Sequence, residues 1–166
     1  MIKILTFSIL AAFVSGQAAD LSPRFVKALH MVETSGRLGP ILGDDGAALG
    51  PLQIHKAYWS DAIAYDKTIK GNYSDCQYLN YSIKIVTAYL NRYAKKDIEE
   101  NNLLNLARKH NGGPSGHKNK NTLNYMNNKV RFIDTFINGN DRRSRQINES
   151  IFSLICHYCF PDINFH

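Results

Sequence analysis

Apolar residues recur every three or four positions along most of this chain, the spacing that lines one face of a helix. Phe25, Leu29 and Val32, with Ala28 and Met31 beside them, mark a first helix. Ser22-Pro23 supplies its start, with serine as N-cap and proline in the first turn, where its missing N–H has no helical partner to lose. Gly36 and Gly39-Pro40 end it. Ile83, Val86, Leu90 and Tyr93 form a second stripe, with Tyr89 next to it, and predict a long helix from Cys76 to Lys95. Shorter helices are expected over 55–66 and 98–110, and another from Asn121 through Asn138 carrying Tyr125, Val130, Ile133 and Phe136. Between the first two helices the pattern changes. Residues 41–44 and 47–50 flank Asp45-Gly46, a pair that signals a two-residue hairpin. Residues 111–121 are polar and without periodicity. The fold class is therefore α+β, mostly α, with one small β-hairpin.

The two ends of the chain read differently from its middle. Met1-Ile2-Lys3 is a short basic start, followed by an apolar run from Ile4 to Val14 and then by small residues, with Gly16-x-Ala18 as a cleavage signal. At about eleven residues the run falls short of the roughly 20 that a membrane-spanning helix needs. Residues 1–18 are thus expected to be a signal peptide, making the protein secreted or periplasmic, with no integral membrane segment after cleavage. The alternative is a buried first helix. Residues 19–138 form the expected globular domain. The arginine-rich stretch after it reads as a basic linker, and Gln146–Tyr158 as a last amphipathic helix, so that 139–166 is an extension whose role the residues do not assign.

With 166 residues, 44% of them hydrophobic and 20% charged, the chain suits one globular domain with a real core, which excludes intrinsic disorder and fibrous structure. Twenty Lys and Arg against 14 Asp and Glu give a net charge of +6. That excess suits anionic polymers in general, whether cell wall, membrane surface or nucleic acid. It is modest, and no nucleic-acid readout motif accompanies it, so no nucleic-acid partner is expected. Three cysteines are too few for a disulfide framework. Cys156-His157-Tyr158-Cys159 lacks the two further ligands that a zinc site requires. A local disulfide or apolar packing of the terminal helix remains open. Neither a metal nor another cofactor is expected.

Glu33 stands out chemically. It lies four residues after Leu29 and eight after Phe25, so it continues the apolar stripe of its own helix. A carboxyl there loses hydration, which favours the protonated form that a general acid needs. A glutamate in a last helical turn can equally point to solvent. Asp44 and Asp45 follow in the hairpin. The turn itself needs only the aspartate beside Gly46, which leaves Asp44 at a strand end. If hairpin and helix end share a cleft, Glu33 and Asp44 become the acid and the solvated carboxylate that glycoside hydrolysis requires.

Five ordered segments then carry a resemblance. They are Val32-Glu33-Thr34-Ser35-Gly36, Gly50-Pro51-Leu52-Gln53-Ile54, Ala57-Tyr58-Trp59-Ser60-Asp61, residues 107–116 with His110-Asn111-Gly112-Gly113-Pro114 at their centre, and Thr122-Leu123-Asn124-Tyr125. Together they resemble the invertebrate-type, destabilase-like lysozymes across about residues 24–131. The resemblance implies a lysozyme-like fold, with the hairpin beside an active-site cleft. It also implies cleavage of the β-1,4 bond between N-acetylmuramic acid and N-acetylglucosamine in peptidoglycan. Glu33 matches the family's general acid. Asp44 matches its second carboxylate, with Asp45 as the neighbouring candidate. Gln53, Tyr58, Trp59, His110, Asn111 and Gly112 match segments that would bind substrate. The chain departs from the animal enzymes in its few cysteines, in an extra residue in the Glu33-Thr34-Ser35-Gly36 segment, and in Met126 where the family has tryptophan. A monomer is expected. Two other readings stay open: a lytic transglycosylase using Glu33 alone, and a non-catalytic glycan-binding protein.

Overall fold

A computed structural model of the protein describes residues 18–122. The expected signal peptide up to residue 17, the tail from 139 onward with Cys156 and Cys159, and most of the helix predicted from Asn121 lie outside the described residues. Four α-helices and a three-stranded antiparallel sheet make up the rest.

Helix α1 spans Pro23–Thr34 and starts as its sequence dictates. The Ser22 hydroxyl accepts a hydrogen bond from the Phe25 N–H at 3.3 Å, and Pro23 occupies the first turn. It ends at Ser35, which takes the left-handed conformation (φ 57°) and returns N–H bonds to the carbonyls at the end of the helix. Glu33 is thereby in the final turn. The buried Thr34 hydroxyl donates to the Pro51 carbonyl at 2.9 Å, joining the end of α1 to a segment 17 residues away.

Strands β1 (Leu42–Gly43), β2 (Ala48–Leu49) and β3 (Ile54–His55) lie in sequence order, with Gly43 opposite Ala48 and Ala48 opposite His55. The turn between β1 and β2 is wider than the two-residue hairpin that Asp45-Gly46 predicts. Asp44, Asp45 and Gly46 form a 3₁₀ turn in which all three have positive φ (49°, 54° and 91°), so Asp44 belongs to the turn and not to the strand. Asp is among the few residues that tolerate this region without glycine's freedom. The third strand has no counterpart in the hydrophobic pattern, because two residues are too short for a period to show. It exists because the chain turns back at 50–53, where Gly50 (φ 80°) approaches the Cys76 carbonyl so closely that any Cβ would collide with it.

Helix α2 (Lys56–Tyr65) leads to a 3₁₀ turn over Tyr73–Gln77 and then to α3 (Leu79–Glu99), the long central helix. Ile85, Val86, Ala88, Tyr89 and Leu90 on α3 are buried against Phe25 and Leu29 of α1, Leu52, Ile54 and Tyr58. The stripe is thus rotated slightly from the predicted one, with Ile83 and Tyr93 only half-buried. Helix α4 (Leu103–Gly112) begins five residues later than the periodicity suggests, because Asn101 takes a positive φ (50°) and Asn102 caps the helix through its side chain.

An ion pair locks α4 to α3. Lys109 donates to Asp97 at 2.6 Å and to the Tyr93 carbonyl at 3.0 Å, and Asn105 also donates to Asp97, at 2.9 Å. Both charged side chains are only 10% exposed. Burial alone would raise the Asp97 pKa, but the hydrogen bonds from Lys109 and Asn105 outweigh it and hold the carboxyl below the ordinary aspartate value. A carboxyl depressed in this way contributes stability above its unfolded value and loses it as pH falls through the native one. Urea unfolding is therefore expected to show stability falling below about pH 4. Lys109→Met should reduce that acid dependence, and at pH 7 it should cost about 3–5 kcal/mol, as removal of one partner of a buried pair does.

Candidate active site

The site is assembled where the end of α1, the sheet, α2 and the last turn of α4 meet. His110 is its buried centre, about 9% exposed. It falls in the last turn of α4 because the helix runs on to Gly112 before Gly113 (φ 74°) breaks it. One ring nitrogen, Nε2, lies 3.2 Å from the Leu52 carbonyl, and the other, Nδ1, lies 3.2 Å from the Tyr58 hydroxyl. A carbonyl can only accept, so Nε2 carries the proton, and a neutral ring then accepts the Tyr58 O–H at Nδ1. Burial lowers the His110 pKa, against opposing contributions from the Glu33 charge and the Leu52 carbonyl. The imidazole is accordingly held neutral.

Tyr58 is buried on α2 and stacks on Tyr89 of α3, with ring centroids 3.5 Å apart. Burial first, then Tyr89 and the Glu33 charge, push its pKa well above the ordinary tyrosine value. Glu33 itself is half-buried. Its charge acts on both Tyr58 and His110. Glu33 lies in the last turn of α1, beside Thr34, which is tied to Pro51.

Asp44 stands on the exposed β1–β2 turn, and His55 at the end of β3 reaches it: Nε2 lies 2.9 Å from Asp44 Oδ2. The charge of His55 is also felt at His110. His55 and Asp44 thus form an exposed pair at the turn, His110 and Tyr58 a buried one, and Glu33 is half-buried at the end of α1. Asp45 is exposed on the same turn, next to Asp44. His55 is absent from the sequence-based candidates. Its one signal is its place directly after the matched segment that ends at Ile54, and without the third strand nothing brings it opposite the turn.

The remaining candidates divide by what their polar atoms already do. The Gln53 amide donates to the carbonyls of Gly50 (2.9 Å) and Ile41 (3.3 Å), and it fills the space a side chain at Gly43 would take. It therefore holds the turn after β2 against the strand before it. Trp59 is half-buried, donates its indole N–H to the Tyr81 hydroxyl at 3.0 Å and meets the Tyr73 ring edge-on. Asn111 and Gly112 are exposed beyond His110. Behind them, Thr122 donates into the 116–119 turn while Arg108 bonds both Thr122 and the Asn119 carbonyl, which closes the glycine-rich loop on itself. Among the described residues, no three His, Cys, Asp or Glu side chains converge in a metal-binding arrangement.

A neutral buried imidazole has a thermodynamic signature. His30 is also buried and its pKa is lowered by desolvation, against the hydrogen bond to the Arg37 carbonyl. Both rings take up a proton more readily when unfolded, so stability is expected to rise with pH and to fall as pH drops below about 6.5. Tyr58→Phe removes the donor to His110 Nδ1 and should cost about 1–3 kcal/mol at pH 7 by urea unfolding, without loss of helical signal.

The geometry has relatives. The family model described as Destabilase matches residues 30–132. A lysozyme from Ostrea edulis is 36% identical over 85 residues, which is 50% of this chain and 60% of that protein. An invertebrate-type lysozyme from Ruditapes philippinarum is 38% identical over 76 residues, 46% of this chain and 54% of that protein. The chain thus spans about half the length of the curated relatives it matches. Among solved structures, Tapes japonica lysozyme aligns with a TM-score of 0.54 at 32% identity, covering 66% of this chain and 88% of that one. The inhibitor-bound lysozyme from Meretrix lusoria aligns at 0.53 and 27%, covering 67% and 89%. The fold is lysozyme-like, α+β with a small antiparallel sheet.

Proposed function

The chain belongs to the Destabilase family, and from that premise we propose that it is a muramidase, a glycoside hydrolase acting on the β-1,4 bond between N-acetylmuramic acid and N-acetylglucosamine in peptidoglycan. The observation that carries this reading is the unlike placement of two carboxyls: Glu33 is half-buried in the last turn of α1, beside Thr34 and its bond to Pro51, and Asp44 is exposed on the turn with His55 as its partner. Two carboxyls in such unlike settings suit the division of labour in glycoside hydrolysis, one as proton donor and the other as nucleophile or stabiliser. Glu33 protonates the glycosidic oxygen as the bond breaks. Asp44 attacks the anomeric carbon or stabilises the positive charge that develops there, and water completes hydrolysis. Asp45 is the neighbouring candidate for the same role. Asn111 and Gly112, exposed beyond His110, offer polar groups to the N-acetyl substituents, with Gln53, Tyr58 and Trp59 supporting the walls.

Export through residues 1–18 belongs to the same reading. It is supported by Asn91 on α3, whose side chain bonds both the N–H and the carbonyl of Ala19 at 2.8 Å, so that the residue that would follow cleavage is held in the fold. No helix among the described residues is long and apolar enough to cross a membrane.

The decisive experiment is mass spectrometry of the soluble fragments released from purified peptidoglycan by the protein of residues 19–166. Free reducing muramic acid ends are expected. Anhydro ends would replace hydrolysis by lytic transglycosylation, and an absence of fragments from folded protein would leave glycan binding without turnover. Glu33→Gln should lower the rate by about 10²–10⁴-fold, the range for loss of a positioned proton donor. Asp44→Asn should also be strongly impaired, whereas Asp45→Asn should stay near the wild type. The assay is the same fragment release, followed in time.

A further inference from the structure

Asp44 has one side-chain partner among the described residues, His55, at 2.9 Å. The pair is exposed, with 48% of the His55 and 72% of the Asp44 side chain accessible, so it adds little to fold stability. Its placement is nonetheless specific. Ala48 pairs with Gly43 on one side and with His55 on the other, so one row across the sheet runs from the residue before Asp44 to His55. The short third strand ends with His55 aimed at the turn. The Tyr73 hydroxyl holds this corner by donating to the Ile54 carbonyl at 2.7 Å, with the Ala47 carbonyl at 3.2 Å sharing the same proton.

A solvated carboxylate on an exposed turn can rotate about its side-chain bonds, and a group that must meet one ring carbon loses rate to that freedom. We propose that His55 is a positioning residue for Asp44, fixing one carboxylate oxygen so that the other is presented to the cleft. A carboxylate only accepts, so His55 Nε2 carries the proton in this bond whether the ring is neutral or charged. The bond thus survives either state of the imidazole. His55 holds no atom of the substrate in this role and acts through Asp44. The inference rests on the muramidase reading and deepens it, giving the hairpin carboxylate its orienting partner.

The test measures kcat and KM on soluble peptidoglycan fragments for the residue 19–166 protein and for the variants H55A, H55Q, D44N and H55A/D44N. H55A is expected to lose about tenfold in kcat, the order set by one hydrogen bond to a charged group, with KM within about twofold. H55Q, which keeps a donor, should restore most of the loss. In the D44N background, on the residual rate that Glu33 alone supports, H55A should have no further effect. Melting temperatures should match throughout, because the pair is exposed. A wild-type kcat in H55A overturns the inference while leaving the muramidase reading intact. So does an H55A loss that persists undiminished in D44N, or one that appears only in KM. Full activity of D44N removes Asp44 from the reaction and the inference with it. A folded wild type that releases no fragments overturns both.

Discussion

A neutral imidazole inside a protein can satisfy two partners only if one accepts and the other donates. His110 has that arrangement, with the Leu52 carbonyl on one nitrogen and the Tyr58 hydroxyl on the other. These partners come from three separate pieces of the chain: the last turn of α4, the turn leading into β3, and α2. A protonated ring would leave Tyr58 facing a second donor, and the stacked Tyr89 closes the space into which the tyrosine could retreat. The hydrogen-bonding geometry and the low dielectric around it therefore select the same protonation state. The sheet, α2 and α4 keep their relative positions because that state is kept.

Around this junction the site is fastened at its corners by backbone carbonyls rather than by side-chain pairs. Thr34 reaches Pro51, Gln53 reaches Gly50 and Ile41, and Tyr73 reaches Ile54 and Ala47. The first ties the helix that bears Glu33 to the turn before β3, and the others fasten the short strands and the turns that flank them. Three strands of two residues each could not hold a register through their ladder alone, since each adjacent pair contributes too few bonds. Polar side chains that look available for ligands are committed to that task. Gln53 is the clearest case: its amide makes the turn, and whatever it offers a glycan comes from the shape it maintains.

How much of this was legible depends on the length of each element. Helices α1 and α3 buried enough residues for the period to show, and Ser22-Pro23 announced the start of α1. Helix α2 fell within one residue of its expected span. The α3–α4 junction shifted because Asn101 adopts a left-handed conformation that no hydrophobic pattern encodes. The sheet was half visible. Asp45-Gly46 marked a turn but gave no hint that Asp44 would share its conformation, and β3 is too short to carry a pattern. His55 was lost with it, absorbed into the predicted start of the next helix. Glu33 was singled out by the phase of its helix, His110 only by the segment that carries the family resemblance. The extra residue at Thr34 looked like a disturbance in the matched segment, but it is the buried tie between α1 and Pro51.

The left-handed turn gives Asp44 and Asp45 a second reason to be what they are. Glycine, asparagine and aspartate enter that region of backbone space at the least cost. A lineage in which these carboxylates had no chemistry left to do would still be biased toward these three residues at both positions. An acidic residue there is therefore compatible with an idle descendant, and its persistence is weak testimony to chemistry. Helical residues carry no such conformational debt, so the informative letter across diverging copies of this domain is the glutamate at 33.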